Sequence, residues 1–266
     1  MRRRLIFYQW ATTPTPIDAS PPAGAIVLGT RFTKHLLSRK GPMDFVIFGK
    51  SKTPDISFSV EPQRGGQFRI WSNTNYVVYG GDDEKVSSID WMWLTINSEP
   101  ELFPLPYEIY NDWGKFCSLL QETLIPITAT KGERTFLDAY LKVSNPHYPA
   151  LIPQAWVNWI HYSAHDSERA RRAKQEPFRV DFILHSDHRK IVIEIDGSSH
   201  FSEIFDVDGT GRIRYEASMD KYTEHLRKDR WLRSKGWEVW RFSESEILDN
   251  DFDMSAVLAE MRIKIR

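Results

Sequence analysis

Residues 178–200 read FRVDFILHSDHRKIVIEIDGSSH. Two apolar runs flank a short polar turn, the pattern of a β-hairpin, and each run carries carboxylates in its interior. Side chains alternate along a strand. Phe178, Val180, Phe182 and Leu184 therefore share one face of the first run, and Asp181 lies on the other. In the second run Ile191, Ile193 and Ile195 share a face opposite Val192, Glu194 and Asp196. A symmetric turn centred between Asp187 and His188 sets Asp181 directly across from Glu194, with Cβ atoms roughly 5 Å apart. Opposed like charges destabilise a sheet. One carboxyl must hold a proton, or water must screen both, or a cation must sit between them. Both runs are too apolar on their other faces for a solvent-facing hairpin. A metal site is the expected answer, with Mg2+ or Mn2+ as the ion, because hard divalent cations take carboxylate oxygens together with substrate phosphates.

The rest of the chain divides in two. Its 266 residues, 41% hydrophobic and 27% charged, suit a soluble globular protein. Over the first hundred residues RLIFYQW, AIVLGT, DFVIFG, ISFSV, QFRIW, YVVYG and IDWMWLTIN read as strands between Pro, Gly, Asn and Asp turns. A helix follows, with Tyr110, Trp113, Cys117 and Leu120 on one face. PITATKG marks a boundary. From Glu133 the order is helix, strand, strand, strand, helix, strand, helix, with a Gly-rich connection after the hairpin and a Ser243/Glu246 capping box before the last segment. The expectation is a mainly β unit over 1–128, with a recognition or interaction module as its candidate role, and an α/β unit over 129–266. The opening MRRRLIFYQWATTP is basic and then apolar, but its apolar part is short and broken by Gln9, so a first strand is expected and not a secretory leader. No apolar stretch reaches the roughly 20 residues that span a bilayer. The single cysteine, Cys117, excludes an internal disulfide framework and suits a cytoplasmic protein.

A leading helix with an acid, then D…E-x-D-G-x-x-H, resembles the PD-(D/E)XK nuclease superfamily, and within it the branch related to very-short-patch-repair endonucleases. Glu133, LIPQAW (151–156), RVDF (179–182), IVIEIDGSSH (191–200) and KDRWLRSKGWEVWRF (228–242) carry the likeness, over about residues 133–250. It implies a restriction-endonuclease-like α/β domain, with a central mixed sheet flanked by helices, that hydrolyses phosphodiester bonds with Mg2+ or Mn2+ and favours DNA over RNA. Asp181 and Glu194 would bind the ion, with the Ile195 carbonyl and Glu133 completing the shell. Many members have Lys where this chain has Asp196. That leaves Asp196 to bind metal, orient water or hold His200, and leaves His200, Lys190 or a helix lysine to stand in for the missing cation. His200 is the candidate acid or base. Gln154 either reaches the site or supports its strand, and Glu133 could equally be a first-turn acid complementing a helix dipole.

Net charge is −1, so any polyanion site must be local. Lys221, Lys228 and Lys235 recur every seven residues on the later helix, and Arg169, Arg171, Arg172 and Lys174 precede the hairpin. Either cluster could pair with phosphates or be an ordinary solvated face. Three other features point to structure: Gly80-Gly81-Asp82-Asp83 to a turn, Cys117 to the core, and the isolated His161 and His165 to no zinc site. No phosphate-binding G-x-x-x-x-G-K-[ST] is present. A metal-dependent endonuclease that binds nucleic acid is expected, with a homodimer or a larger complex as its assembly, in defence, mobile-element or repair work. The alternative is a nuclease-fold subunit that has lost catalysis along with its Lys and only binds or assembles.

Overall fold

The structure is a computed structural model, and it describes residues 25–27, 43–49, 56–61, 67–72, 76–80, 89–97, 112–161, 178–207 and 213–263. The strands, in chain order, are β1 (Ala25–Val27), β2 (Met43–Gly49), β3 (Ile56–Glu61), β4 (Gln67–Ser72), β5 (Tyr76–Gly80) and β6 (Ile152–His161). They continue with β7 (Phe178–Ser186), β8 (Arg189–Asp196), β9 (Ser202–Val207), β10 (Ile213–Ala217) and β11 (Trp237–Ser243). The helices are α1 (Trp91–Asn97), α2 (Trp113–Leu124), α3 (Lys131–Val143), α4 (Met219–Ser234), α5 (Glu244–Ile247) and α6 (Met254–Glu260).

Four strands carry the candidate site in a mixed sheet of order β11-β8-β7-β6, flanked by helices. β11 runs parallel to β8, while the β8–β7 and β7–β6 pairs are antiparallel. Strand pairing continues from β6 to β2 and from β2 to β5. β1, β4 and β3 form a separate sheet, and β9 with β10 a two-stranded ribbon. Every residue of β8 from Ile191 to Asp196 is buried, as a central strand covered on both faces requires. Helix α3 lays Phe136 against Phe182 and Phe242, with ring centroids 5.6 and 5.5 Å apart. Helix α4 lays Trp231 on Phe178 at 5.3 Å. The β7–β8 turn takes positive φ at both Asp187 (49°) and His188 (65°), the backbone of a tight two-residue hairpin. Phe182 then faces Ile193 and Ile183 faces Val192, the register that a symmetric turn demands.

Local chemistry fixes where the helices start and stop. Thr130 caps α3 by accepting the Glu133 N–H. Ser218 caps α4, and Gly236 at φ 80° turns the chain from α4 into β11. The expected capping box is present: Ser243 accepts the Glu246 N–H, and Glu246 accepts the Ser243 N–H.

Three expected elements are corrected. IDWMWLTIN was expected as a strand, but Trp91–Asn97 is helix α1. Trp91, Leu94 and Thr95 are buried at helical spacing, the Thr95 hydroxyl donates to the Trp91 carbonyl, and the Trp91 indole donates to Ser144 Oγ. Packing overrides the β preference of its aromatic and branched residues. Helix α2 begins at Trp113, and its core face is Phe116, Leu120 and Leu124, with Cys117 half-buried beside it. The Gly-rich connection after the hairpin contains β9 and β10. One hydrophobic core runs across the boundary expected at 128/129, joining Trp91, Leu94, Phe116 and Leu120 to Phe136, Val180 and Ile193. The expected strand RLIFYQW, residues 81–84, His165 and the Arg169, Arg171, Arg172 and Lys174 cluster lie outside the described residues. Among the described residues no helix is long and apolar enough to cross a membrane.

Gly132 lets α3 close on β8. A Cβ there would lie 2.8 Å from Glu244 Cγ and 3.0 Å from Ile195 Cγ2. Gly132→Ala is expected to cost about 1–3 kcal/mol by overpacking, read as a lowered urea midpoint with an unchanged slope.

Candidate functional site

One row of residues crosses all four strands of the mixed sheet. Gln154 lies between Pro153 and Ala155, whose partners Phe182 and Val180 flank Asp181. Asp181 follows on β7, one step beyond the last backbone pair, Phe182 with Ile193, and so opposite Glu194. Glu194 in turn pairs with Arg241 on β11. One amide, two acids and a guanidinium make up the row, and at Asp181 the backbone ladder yields to a side chain, whose Oδ2 accepts the Ile195 N–H at 2.7 Å.

The acids are held by different partners. Glu194, 2% exposed, accepts from Lys228 Nζ at 2.8 Å, and the same ammonium donates to the Arg179 carbonyl. Glu133 is equally buried, and its Oε2 accepts from the Ala129 N–H and from Gln154 Nε2 at 2.6 Å. Glu133 thus serves the start of α3 as well as the site. Gln154 reaches it from a backbone with φ 53°, a conformation costing about 1 kcal/mol for a residue with a Cβ. Burial, then the charges of Glu194 and Glu133, push the Asp181 carboxyl up to about 7. Among the described residues, hydrogen bonds engage only one oxygen each of Asp181, Glu194 and Glu133.

Asp196 lies in a separate network. Arg241 grips it with two nitrogens, Nε to Oδ2 at 2.7 Å and Nη2 to Oδ1 at 2.6 Å. His200 Nδ1 donates to the same carboxylate at 2.8 Å. Arg241 also reaches Asp229 Oδ1 at 2.9 Å and His225 Nδ1 at 2.8 Å. Burial raises the Asp196 carboxyl, but the hydrogen bonds from His200 and Arg241 outweigh it and hold the group at about 2. The Asp196 hydrogen bond lifts the His200 imidazole above its ordinary value. Burial and the Arg241 charge lower His225, consistent with a neutral ring that accepts at Nδ1. The two imidazoles stack at 5.4 Å.

Of the expected site residues, the structure brings Asp181, Glu194, Glu133 and Gln154 into one connected cluster, with the Ile195 backbone hydrogen-bonded to Asp181. Asp196 and His200 form the adjoining one. Among the described residues, the trio of potential ligands whose atoms all lie within 4.8 Å is Asp196, His200 and His225, not the expected acids. Arg241 already bonds two of that trio, Asp196 and His225, so the protein supplies its own cation there. The three heptad lysines do not share a surrounding: half-buried Lys228 pairs with Glu194, Lys221 donates to the Ser202 carbonyl, and Lys235 sits 5.7 Å from the Trp231 ring centroid. The sequence reading missed Arg241, His225 and Asp229. A face at spacings of three and four, His225, Lys228, Asp229 and Leu232, would have pointed α4 at the sheet.

No family model matches the chain, and no curated protein or solved structure matches it either. What the site can do rests on its own chemistry.

Two measurements test this electrostatic picture. A carboxyl raised to about 7 stabilises the metal-free fold below its ordinary value of 3.8, and that stability is lost as pH rises through about 7. Asp181→Asn is therefore expected to unfold near the wild-type temperature at pH 4 and increasingly above it towards pH 8, by thermal scans in EDTA. Arg241→Met leaves Asp196 buried without its bidentate partner, and a loss of about 3 kcal/mol in urea unfolding is expected.

Proposed function

We propose that this chain is a divalent-metal-dependent nuclease of the restriction-endonuclease-like kind, hydrolysing phosphodiester bonds with DNA favoured. One observation carries the reading: half-buried Asp181 and buried Glu194 stand side by side on neighbouring strands, each with an oxygen left over. Such a pair is costly unless a cation or a proton accompanies it. The donor set is hard, two carboxylates with the Ile195 carbonyl as the proposed further oxygen, which suits Mg2+ or Mn2+. When bound, the ion would lower the pKa of a water and polarise a phosphate.

The chain's own groups divide the remaining work. Asp181 and Glu194 hold the ion, and Glu133, steadied by Gln154, adds negative charge behind them. Lys228 is the helix lysine beside Glu194, and it supplies the positive charge that Asp196 cannot. Asp196 is a positioning residue: saturated by Arg241, it fixes the His200 ring through Nδ1. That leaves His200 Nε2 to give a proton to the leaving oxygen, and the raised imidazole pKa favours this role near neutral pH. The mainly β unit over 1–128 remains the proposed recognition or interaction module.

A second reading has its own support. Lys228 and Arg241 already neutralise Glu194 and Asp196, as in a nuclease fold retained for binding or assembly alone.

Cleavage of linear, circular and single-stranded DNA, and of RNA, in Mg2+ or Mn2+ against EDTA tests both readings. Wild type is expected to cut only with metal. Asp181→Ala and Glu194→Ala, each checked for folding, are expected to lose at least about a hundredfold in rate, since the ion supplies several kcal/mol to the transition state. Binding without cutting by a folded, metal-loaded wild type would select the second reading. Cutting that survives both substitutions would refute the assignment of the site.

A further inference from the structure

Helix α4 turns an apolar face outward beside this site. Among the described residues the exposed large apolar side chains are Phe201 (41%), Met219 (71%), Tyr222 (47%), Leu226 (39%) and the distant Leu248. Met219, Tyr222 and Leu226 follow one another at spacings of three and four, so they form one line along the first two turns of α4. The same line continues as Arg230 and Arg233, both exposed. Phe201 joins it at the helix start, where its carbonyl accepts the Ser218 N–H at 2.8 Å. Its ring lies 6.0 Å from that of His225, which stacks on His200. A file of rings thus leads from the surface to the Asp196–His200 pair.

Single exposed apolar residues are ordinary, but a contiguous patch bordering a polar site signals a binding surface. The order along α4 is informative: apolar and aromatic groups next to the site, arginines farther along. Aromatic rings take the faces of unpaired bases, and guanidinium groups take backbone phosphates. A duplex keeps its bases stacked on one another and offers such rings little. An occupant continuous with His200 and the carboxylates must also share the site with the scissile bond, which a strand passing through it does.

We propose that the Phe201–Tyr222–Leu226 strip binds the unpaired bases flanking the scissile phosphate, and that the substrate class is single-stranded nucleic acid. The inference rests on the phosphodiester reading of the site. Arg230 and Arg233 hold the strand's backbone beyond the strip.

The test is fluorescence anisotropy with the 266-residue chain in EDTA, at fixed salt, where nothing is cut. The probes are a labelled 12-nucleotide oligothymidylate, an abasic strand of equal length and a matched duplex. Wild type is expected to bind the oligothymidylate about tenfold or more tighter than the other two. Phe201→Ala/Tyr222→Ala, folded by circular dichroism, should lose that preference and keep its abasic affinity, while Tyr222→Phe retains both. The inference fails if the double variant keeps the preference, or if wild type holds duplex as tightly as single strand. It fails too if sedimentation shows a wild-type dimer that the double variant splits, since the strip is then a contact between copies. A wild type that cuts duplex without preference overturns this inference alone. One that neither binds nor cuts any nucleic acid overturns the phosphodiester reading as well.

Discussion

Two carboxylates, half-buried Asp181 and buried Glu194, face each other across the β7–β8 hairpin, and the structure around them is arranged to bear that repulsion. Lys228 comes from α4 to meet Glu194, with its ammonium nitrogen also on the Arg179 carbonyl. The Ile195 N–H comes from β8 to meet Asp181. A proton is the third remedy: Asp181 titrates near 7 because burial and its neighbours oppose its charge. The Lys228 contacts form only when α4 lies against the sheet, so the docking of that helix and the charge state of the hairpin are linked. Trp231 on Phe178 and buried Leu232 supply the apolar part of that docking.

Arg241 solves the neighbouring problem differently. A planar guanidinium can satisfy several acceptors at once, and here it binds both oxygens of Asp196, one of Asp229 and a ring nitrogen of His225. It therefore ties β11 to β8 and to α4 through polar contacts where the sheet core ends. The consequence for chemistry is indirect. With Asp196 held near a pKa of 2, its charge is constant across the working range, and His200 keeps a fixed partner.

Much of this was legible in the chain, for a physical reason. Period-two alternation and a two-residue turn determine a hairpin's register, so Asp181 opposite Glu194 could be read without coordinates. The caps at Ser243 and Glu246 are local and were equally readable. Arg241 could be placed on its strand but not in the site, because the parallel pairing of β11 with β8 joins residues far apart in sequence. The same holds for Lys228: its seven-residue spacing with Lys221 and Lys235 describes a helix face, and only packing decides that Lys228 points inward. Trp91–Asn97 shows the converse error. Its composition favours a strand, and the burial of Trp91, Leu94 and Thr95 makes it a helix. The strip on α4 escaped notice because exposure is a property of what does not pack.

The two basic residues differ in how readily they could give way to an ion. Arg241 is bidentate to Asp196 and shares its remaining nitrogens with Asp229 and His225, so displacing it would strand three partners together. Lys228 touches Glu194 through a single nitrogen on a flexible four-carbon stem and leaves the second carboxylate oxygen unengaged. In the proposed reading, that oxygen would be the one Glu194 offers a divalent cation, and Lys228 would remain free to meet a phosphate. For this reason the Asp181–Glu194 pair, and not the tighter Asp196–His200–His225 trio, is the metal site we propose.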